Sequence, residues 1–137
     1  MNDVIRIGRI SSVNPTSGMA RVYYPDRDST TSELSLFGFH REFKLPNVND
    51  QVVVLHLPND TSSGIILGNF WNEADSPPEQ VQYKKDFENG TYEMLKDGNY
   101  IIHSSQIILE GESESISLTD LIDMKRRLER LERGLPE

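Results

Sequence analysis

Apolar and polar residues alternate in short runs along the first 76 positions, as they do in β-strands with one buried face. Turn-forming residues separate the runs, most clearly at 14–18 (NPTSG) and in the polar loop at 58–64. The run at 51–57 (QVVVLHL) is apolar enough to predict a strand buried on both faces. The predicted strands are residues 4–10, 19–24, 34–39, 51–57 and 65–70.

Five strands in so short a stretch, with no long helix, suit a small closed barrel, because closure leaves no strand edge open. We therefore expect residues 1–76 to form a five-stranded OB-like (oligonucleotide/oligosaccharide-binding) β-barrel, with an SH3-like barrel as the second choice. Pro77 and Pro78 interrupt the pattern, since proline cannot continue a β-ladder. Residues 77–82 are predicted to be a linker.

Residues 83–116 contain four shorter runs, at 91–95, 100–103, 106–109 and 115–118. Tight-turn dipeptides, Asn89-Gly90 and Asp97-Gly98, punctuate them. A segment this short normally needs a disulfide, a metal or self-association to fold, because chains below about 40 residues bury too little surface. The chain has no cysteine, so the missing contacts must come from the rest of the chain or from other copies.

The spacing of apolar residues changes to seven from Ser117 onward, which predicts a helix over residues 117–137. Ser117 and Asp120 have the spacing of a helix start, and Gly134 and Pro136 end the pattern. In heptad notation, position a holds Leu121, Leu128 and Leu135, and position d holds Met124 and Leu131.

The charges that flank this seam favour a parallel coiled coil. In the same register, the pairs Asp120–Lys125 and Arg127–Glu132 join position g of one helix to position e of the next, and both have opposite signs. The stretch RLERLE resembles the Arg-apolar-x-x-apolar-Glu pattern of short trimeric coiled coils, with those roles falling to Arg127, Leu128, Leu131 and Glu132. An amphipathic helix packed on its own barrel remains the alternative.

The distribution of charge disfavours nucleic acid as a partner. The formal net charge is −8, and the first 118 residues hold nine basic against seventeen acidic side chains. Such a surface repels a phosphate backbone. The absence of cysteine excludes a disulfide framework and a thiolate metal site, and indicates a reducing compartment. No signal peptide and no integral membrane segment are expected.

Candidate chemistry is sparse, so no enzyme, cofactor or metal is predicted. His56 is expected to be outward-facing or hydrogen-bonded, and His103 to be an ordinary histidine rather than an axial metal or anion ligand. The carboxylates at 110, 112 and 114 are interpreted as a solvated strand face. Four aromatic residues suit core or intersubunit packing better than base stacking. They are Tyr23, Tyr24, Phe37 and Phe39.

The order of these parts resembles the phage baseplate assembly protein V family and the related spikes of type VI secretion and tailocin particles. The matching stretches are GRI at 8–10, NPTSG at 14–18 with RVYYP at 21–25, LPNVNDQVVV at 45–54, GIILGN at 64–69 and FENGTY at 87–92. The resemblance covers roughly residues 4–111. Asn49 stands where the family usually has glycine. The longer shaft and the His-x-His iron site of some members are missing, so a short or blunt spike is expected, or a hub whose tip is another protein.

The resemblance implies a homotrimer in which residues 83–116 form a short intertwined β-helical or β-prism shaft. Ile101, Ile107 and Leu109 would face its interior, with Asn89, Gly90, Asp97 and Gly98 at its corners. The implied function is structural: a central spike or hub that caps the tail tube of a contractile particle and transmits force on contraction.

The implied partners are tail-tube, hub and baseplate proteins, and contact with the envelope of a target cell is left open. The protein would be made in the bacterial cytoplasm and reside in the baseplate of a virion or phage-tail-like particle. Two alternatives remain: an OB-fold module that binds nucleic acid or oligosaccharide and has a trimeric tail, and a small hydrolase attached to a tail.

Overall fold

The computed structural model describes residues 4–78 and 80–134. It is mainly β, with one α-helix in the described part of the chain, near its C-terminal end, which confirms the predicted fold class at this level. The chain divides into two compact units, Met1–Ser76 (unit 1) and Pro77–Glu137 (unit 2).

Unit 1 contains one six-stranded sheet that curls into a half-barrel. Its strands are β1 Ile5–Asn14, β2 Met19–Tyr24, β3 Ser29–Thr30, β4 Ser35–Leu36, β5 Gln51–Leu57 and β6 Asp60–Asn69. They lie in the order β3-β2-β1-β5-β6-β4. All neighbours are antiparallel except β4 and β6, which are parallel.

The segment around β4 brings the two ends of this sheet together. The main chain of Leu34 pairs with Ala20 of β2 through two hydrogen bonds of 2.8 and 3.1 Å. The next residues, Ser35 and Leu36, pair with Ile65 and Ile66 of β6. One short segment therefore touches strands at opposite ends of the sheet, which accounts for its curl.

Several sequence expectations for unit 1 are wrong in detail. The predicted strand at 34–39 is reduced to β4, because the backbone turns into a 3-10 helix at Phe39–Arg41, where His40 and Arg41 adopt positive φ. The predicted loop at 58–64 is mostly strand, since β6 begins at Asp60 and its polar side chains face water. β5 is buried on one face only, in strict alternation.

The core of unit 1 consists of side chains that point to the inside of the curl. Ile10, Val22, Val52, Val54 and Ile66 are essentially inaccessible to water, and Ala20, Tyr24 and Leu34 complete the cluster. Burying an aliphatic side chain of this size stabilises a fold by about 1.5–3 kcal/mol. Unit 1 therefore has a core of its own within a single chain.

His56 lies in this core rather than on the surface. The residue is 4% exposed, and its Nδ1 donates to the carbonyl of Ser63 at 3.2 Å. With that tautomer, Nε2 accepts a hydrogen bond from the hydroxyl of Tyr24 at 2.6 Å. Of the two orientations expected from the sequence, the structure has the hydrogen-bonded one, while Leu55 and Leu57 face outward.

Unit 2 contains a three-stranded antiparallel sheet, a short hairpin and the helix. The sheet consists of β7 Tyr83–Asp86, β8 Tyr92–Lys96 and β9 Asn99–His103 in that order, and β10 Ile108–Glu110 pairs with β11 Ser115–Ser117. The helix, α1, spans Leu118–Glu132. β7 was not expected, because its sequence YKKD carries no apolar alternation.

Candidate oligomerisation surface

Unit 2 differs from unit 1 in that it has no buried residue anywhere in its described part, residues 77–78 and 80–134. A folded segment normally keeps its secondary structure by burying an apolar face. Here the apolar side chains are at least partly exposed on every element. This surface, distributed over α1, the sheet β7-β8-β9 and the hairpin β10-β11, is the candidate oligomerisation surface.

The helix begins where the sequence predicts, for a local reason. The Ser117 hydroxyl accepts a hydrogen bond from the amide of Asp120, and the Asp120 carboxylate accepts one from the amide of Ser117, both at 3.1 Å. This capping box satisfies two amides that would otherwise lack partners at the helix start. At the other end, Gly134 adopts a positive φ of 70°.

The predicted heptad seam forms an exposed apolar stripe on α1. Leu121 is 42% exposed, Met124 51%, Leu128 59% and Leu131 61%. The flanking Arg127 and Glu132 are also exposed. Leu135, the last predicted member of the seam, lies outside the described residues. Four large apolar side chains in one line, each about half in water, form a surface that a partner helix would cover.

Both predicted turn dipeptides adopt the left-handed backbone that such turns require. The φ angles are 58° at Asn89 and 74° at Gly90, and 52° at Asp97 and 77° at Gly98. Asp97-Gly98 connects β8 and β9 directly as a two-residue turn, whose twist matches that of paired strands. Glycine and, to a lesser degree, asparagine and aspartate tolerate this conformation best.

The sheet β7-β8-β9 carries apolar and aromatic side chains on both of its faces. The strand register places Tyr83, Leu95 and Tyr100 side by side on one face, where Ile102 also lies. The other face carries Met94 beside Ile101, which is half-buried. A thin sheet of this kind cannot shield both faces by itself, so Ile101, the one residue of this sheet predicted to be interior, is only half-buried.

A hydrogen-bonded cluster occupies the first of these faces. The hydroxyls of Tyr100 and Tyr83 both donate to the carboxylate of Glu93, Tyr83 at 2.9 Å. These two bonds, led by that from Tyr100, hold the pKa of Glu93 below its ordinary value. The sequence prediction missed this cluster. The sequence feature that could have indicated the cluster is the spacing of Tyr100 and Ile102, two positions apart directly after a two-residue turn, which places both side chains on one face of the strand.

The opposite face contains His103, whose ring stacks on Tyr92 with centroids 4.8 Å apart. Its Nδ1 donates to the carbonyl of Gly90 at 3.0 Å, which connects β9 to the turn before β8. This arrangement gives the histidine a structural role in the single chain. Among the described residues, no three histidine or carboxylate side chains cluster as a metal site would require.

The hairpin β10-β11 places the remaining two predicted shaft residues differently. Ile107 is half-buried, and its carbonyl accepts a hydrogen bond from the amide of Leu118 at 2.7 Å, which ties the hairpin to the start of α1. Leu109 pairs with Ile116 across the hairpin and is 61% exposed. Leu109 is thus available to a partner but contributes to no interior within one chain.

A polar cavity of about 340 Å³ lies in unit 1, lined by Arg6, Tyr24, Arg27, His56 and several hydroxyl side chains. Arg6 packs over the ring of Tyr24 and forms an ion pair with Asp26 at 2.7 Å. No buried polar side-chain atom in the described residues lacks a hydrogen-bond partner. Of the groups that line this cavity, the Tyr24 hydroxyl and the His56 ring bind each other, and Arg6 is paired with Asp26.

The aromatic residues considered for base stacking are dispersed in unit 1. Tyr24 is buried beside His56, and Tyr23 lies against Arg9 and donates to Asp28 at 2.8 Å. Phe37 and Phe39 form an exposed edge-to-face pair with centroids 4.8 Å apart. They do not form a row of parallel rings on one strand face, as successive stacked bases would need.

No protein-family model matches this chain, and no curated protein matches its sequence. In the part of the chain that the structure describes, α1 is too short and too polar to cross a bilayer. The physical features of the two units therefore carry the functional inference.

Proposed function

We propose that the chain is a homotrimeric structural protein, the central spike or hub of a contractile-tail baseplate, with no catalytic role. Three copies of unit 1, here called the heads, would be joined through their linkers to a stem in which three copies of unit 2 wind together. One observation carries the proposal: unit 1 has a complete core, whereas no described residue of unit 2 is buried.

The energetics of α1 favour association over an isolated helix. A 15-residue helix is marginal by itself in water, since nucleation is costly and its hydrogen bonds are exchanged with solvent. Complete burial of a Leu or Met side chain contributes about 1.5–3 kcal/mol, and the four described seam residues are still about half exposed. Three helices packed along this seam would bury these residues together.

Charge sets the parallel orientation of the helices in this proposal, and a sequence pattern sets their number. In a parallel trimer, Arg127 lies at g against Glu132 at e of the neighbour, and Asp120 lies against Lys125 in the same way. An antiparallel arrangement would lose both pairs. The RLERLE pattern, which resembles that of short trimeric coiled coils, makes three the favoured number.

The same reasoning extends to the sheet β7-β8-β9. Its two faces both carry apolar side chains, so covering one face would leave the other in water. Three such sheets arranged around one axis, with neighbouring strands between them, would cover both faces and leave few strand edges open. Such a stem resists bending, because any local opening must break contacts in all three chains.

The assignment to a contractile tail rests on the order of parts, which resembles that of the baseplate assembly protein V family. A curled β head comes first, then turn-marked strands, then a trimerising element. In this proposal, the half-barrel of unit 1 would take the place of the OB-like head of such spikes. An acidic protein whose stem is held together by three chains would suit an axial element that is pushed by sheath contraction.

The first test is the mass of the purified chain in solution by light scattering and sedimentation equilibrium. We expect three times the chain mass of 15.6 kDa. A compact, fully folded monomer at high concentration would overturn the proposal. The second test is immunogold labelling of contractile particles from the source cell. Gold at the baseplate end supports the assignment, and gold elsewhere, or none, contradicts it.

A further inference from the structure

The outer face of the half-barrel is unusually apolar for a surface exposed to water. Its centre consists of the outward side chains of three adjacent strands, β1, β5 and β6. We call this surface the outer apolar face. It comprises Ile5, Ile7, Val53, Leu55, Leu57, Ile65 and Leu67.

Strand register makes this set one continuous surface rather than scattered exposures. Ile5 of β1 lies directly opposite Leu55 of β5, and Leu55 lies opposite Ile65 of β6. Ile7 is likewise opposite Val53. Directly opposed side chains on one face are separated by about 5 Å between their Cβ atoms. Ile5, Leu55 and Ile65 therefore lie side by side across three strands.

The alternation of β5 shows why this face is anomalous. The inward positions hold Val52, Val54 and His56, so the histidine is in the core while Leu55 and Leu57 are in water. In a sheet with one solvated face, the outward positions are normally polar. Ile5, at 67% exposed, and Ile7, at 54%, show the same inversion on β1.

Most of the outer apolar face is exposed to water. Six of its seven side chains are 38–67% exposed, and the largest apolar patch of a typical monomer, about 300–600 Å², is often functional. A standard interface buries about 800 Å² on each partner, of which the apolar centre is only part. The face is therefore a candidate for the centre of an interface.

Charge determines where copies of this chain, the occupant we infer, can meet. The chain carries a net charge of −8, so two copies repel each other over most of their surface. None of the seven residues of the outer apolar face is charged. This face is consequently a place where copies can approach without repulsion and with a gain from burial.

In the proposed trimer, the linker that joins each head to the stem keeps the three heads close to one another. The predicted linker, residues 77–82, extends at most about 20 Å, so three heads attached to one stem stay near one another. Tethering over such distances gives effective concentrations in the millimolar range. A face that would associate weakly between free molecules would then be occupied nearly all the time.

We infer that the outer apolar faces of the three heads pack against one another at the threefold axis, forming a second intersubunit core in addition to the stem. This inference rests on the proposed trimer. The heads would thus be held as one rigid collar rather than as three domains moving independently on their linkers.

Single-cysteine crosslinking of the full chain tests the inference, because the natural sequence contains no cysteine. Leu55→Cys and Ile7→Cys place thiols on the face. The matched control, Thr16→Cys, places one on the exposed turn at the other end of β1. Mild oxidation should join two of every three chains in the face variants, since a threefold site holds an odd thiol, giving about two thirds of the protein as disulfide dimer. The control should remain uncrosslinked.

Solution mass, measured before oxidation, separates the two ways of failing. A trimer in which neither the Leu55→Cys nor the Ile7→Cys variant crosslinks above the Thr16→Cys control overturns the packing of the heads and leaves the stem proposal intact. A monomer overturns both. Circular dichroism of each variant shows that unit 1 is folded. Two face positions are used so that loss of folding in one variant still leaves the other to decide.

Discussion

At the scale of single residues, His56 shows how one polar side chain is accommodated in a small apolar core. Each of its ring nitrogens has a partner, the Tyr24 hydroxyl on one side and the Ser63 carbonyl on the other. A buried polar group with all its bonds satisfied costs little, whereas removing one partner leaves the other unpaired. The same burial raises the pKa of the Tyr24 hydroxyl.

Tyr24→Phe and His56→Leu should each destabilise unit 1 by about 1–3 kcal/mol, because each leaves a buried polar atom without a partner. The double variant should cost clearly less than the sum, since it removes both members of the pair. Native-state hydrogen exchange of the β1 and β5 amides measures these free energies in the full chain. Strictly additive effects would show that the two side chains are not coupled.

Glu93 provides a pH-dependent contact in unit 2. Its pKa is lowered in the folded state, foremost by the hydrogen bond from Tyr100. A lowered carboxyl pKa contributes stability above the unfolded-state value, and that contribution is lost as pH falls through the folded-state pKa. Acidification in this window should therefore loosen the sheet β7-β8-β9.

Tyr100→Phe should bring the pKa of Glu93 back toward its ordinary value, as measured by carbon-detected NMR titration of the side-chain carboxyl. Tyr92→Phe is the matched control, because Tyr92 stacks on His103 on the other face of the sheet. Equal shifts in both variants would mean that the hydroxyl of Tyr100 is not the cause. The melting of unit 2 should become less dependent on acid pH in Tyr100→Phe.

At the scale of elements, α1 is locally well specified and yet has no buried residue. Its capping box and its final glycine define where it begins and ends. Its apolar stripe, however, faces no other element strongly enough to be buried in one chain. Local sequence thus determines the helix, while no element in the described part of the single chain buries its apolar stripe.

Leu128→Asp should weaken or dissociate the trimer, because it would place three carboxylates in one layer of the seam. Ile122→Asp is the matched control: it makes the same chemical change on the same helix, at heptad position b, outside the seam. Light scattering at several concentrations provides the measurement. An unchanged trimer mass for Leu128→Asp would refute the coiled-coil role of α1.

At the scale of the whole molecule, the acidic excess and the apolar surfaces act in opposite directions on association. In the proposed trimer, three copies with a net charge of −8 each would repel one another, while the seam of α1 and the outer apolar face would favour contact. Salt screens charges over a Debye length of about 10 Å at 0.1 M and leaves apolar burial largely intact.

Raising the salt concentration from about 20 to 200 mM should therefore increase the trimer fraction at limiting protein concentration, as read by sedimentation velocity. The variant Glu112→Gln with Glu114→Gln should respond less, since it carries less negative charge. A trimer fraction that falls with added salt would show that the ion pairs beside the seam outweigh the repulsion between whole chains.

The prediction from sequence was most accurate where the cause is local. Ser117 and Asp120 identified the start of α1, and the run at 51–57 matches β5. The prediction was wrong where contacts between residues distant in sequence determine the backbone conformation. The backbone turn after β4 ended a strand that apolar alternation would have continued to Phe39. Asp60 lies in a strand although aspartate has a low β-propensity, because its backbone pairs with Leu57 of β5.

By itself, the sequence determined the β-rich class, the terminal helix and the dipeptides at the tight turns, since propensity and periodicity act over a few neighbouring residues. Only the tertiary structure decided which side of each strand is inside. Alternation offers two faces, and in β5 the packing of Tyr24 against His56 turned the histidine inward and Leu55 outward. This choice depends on residues more than thirty positions apart, and it is what exposed the outer apolar face.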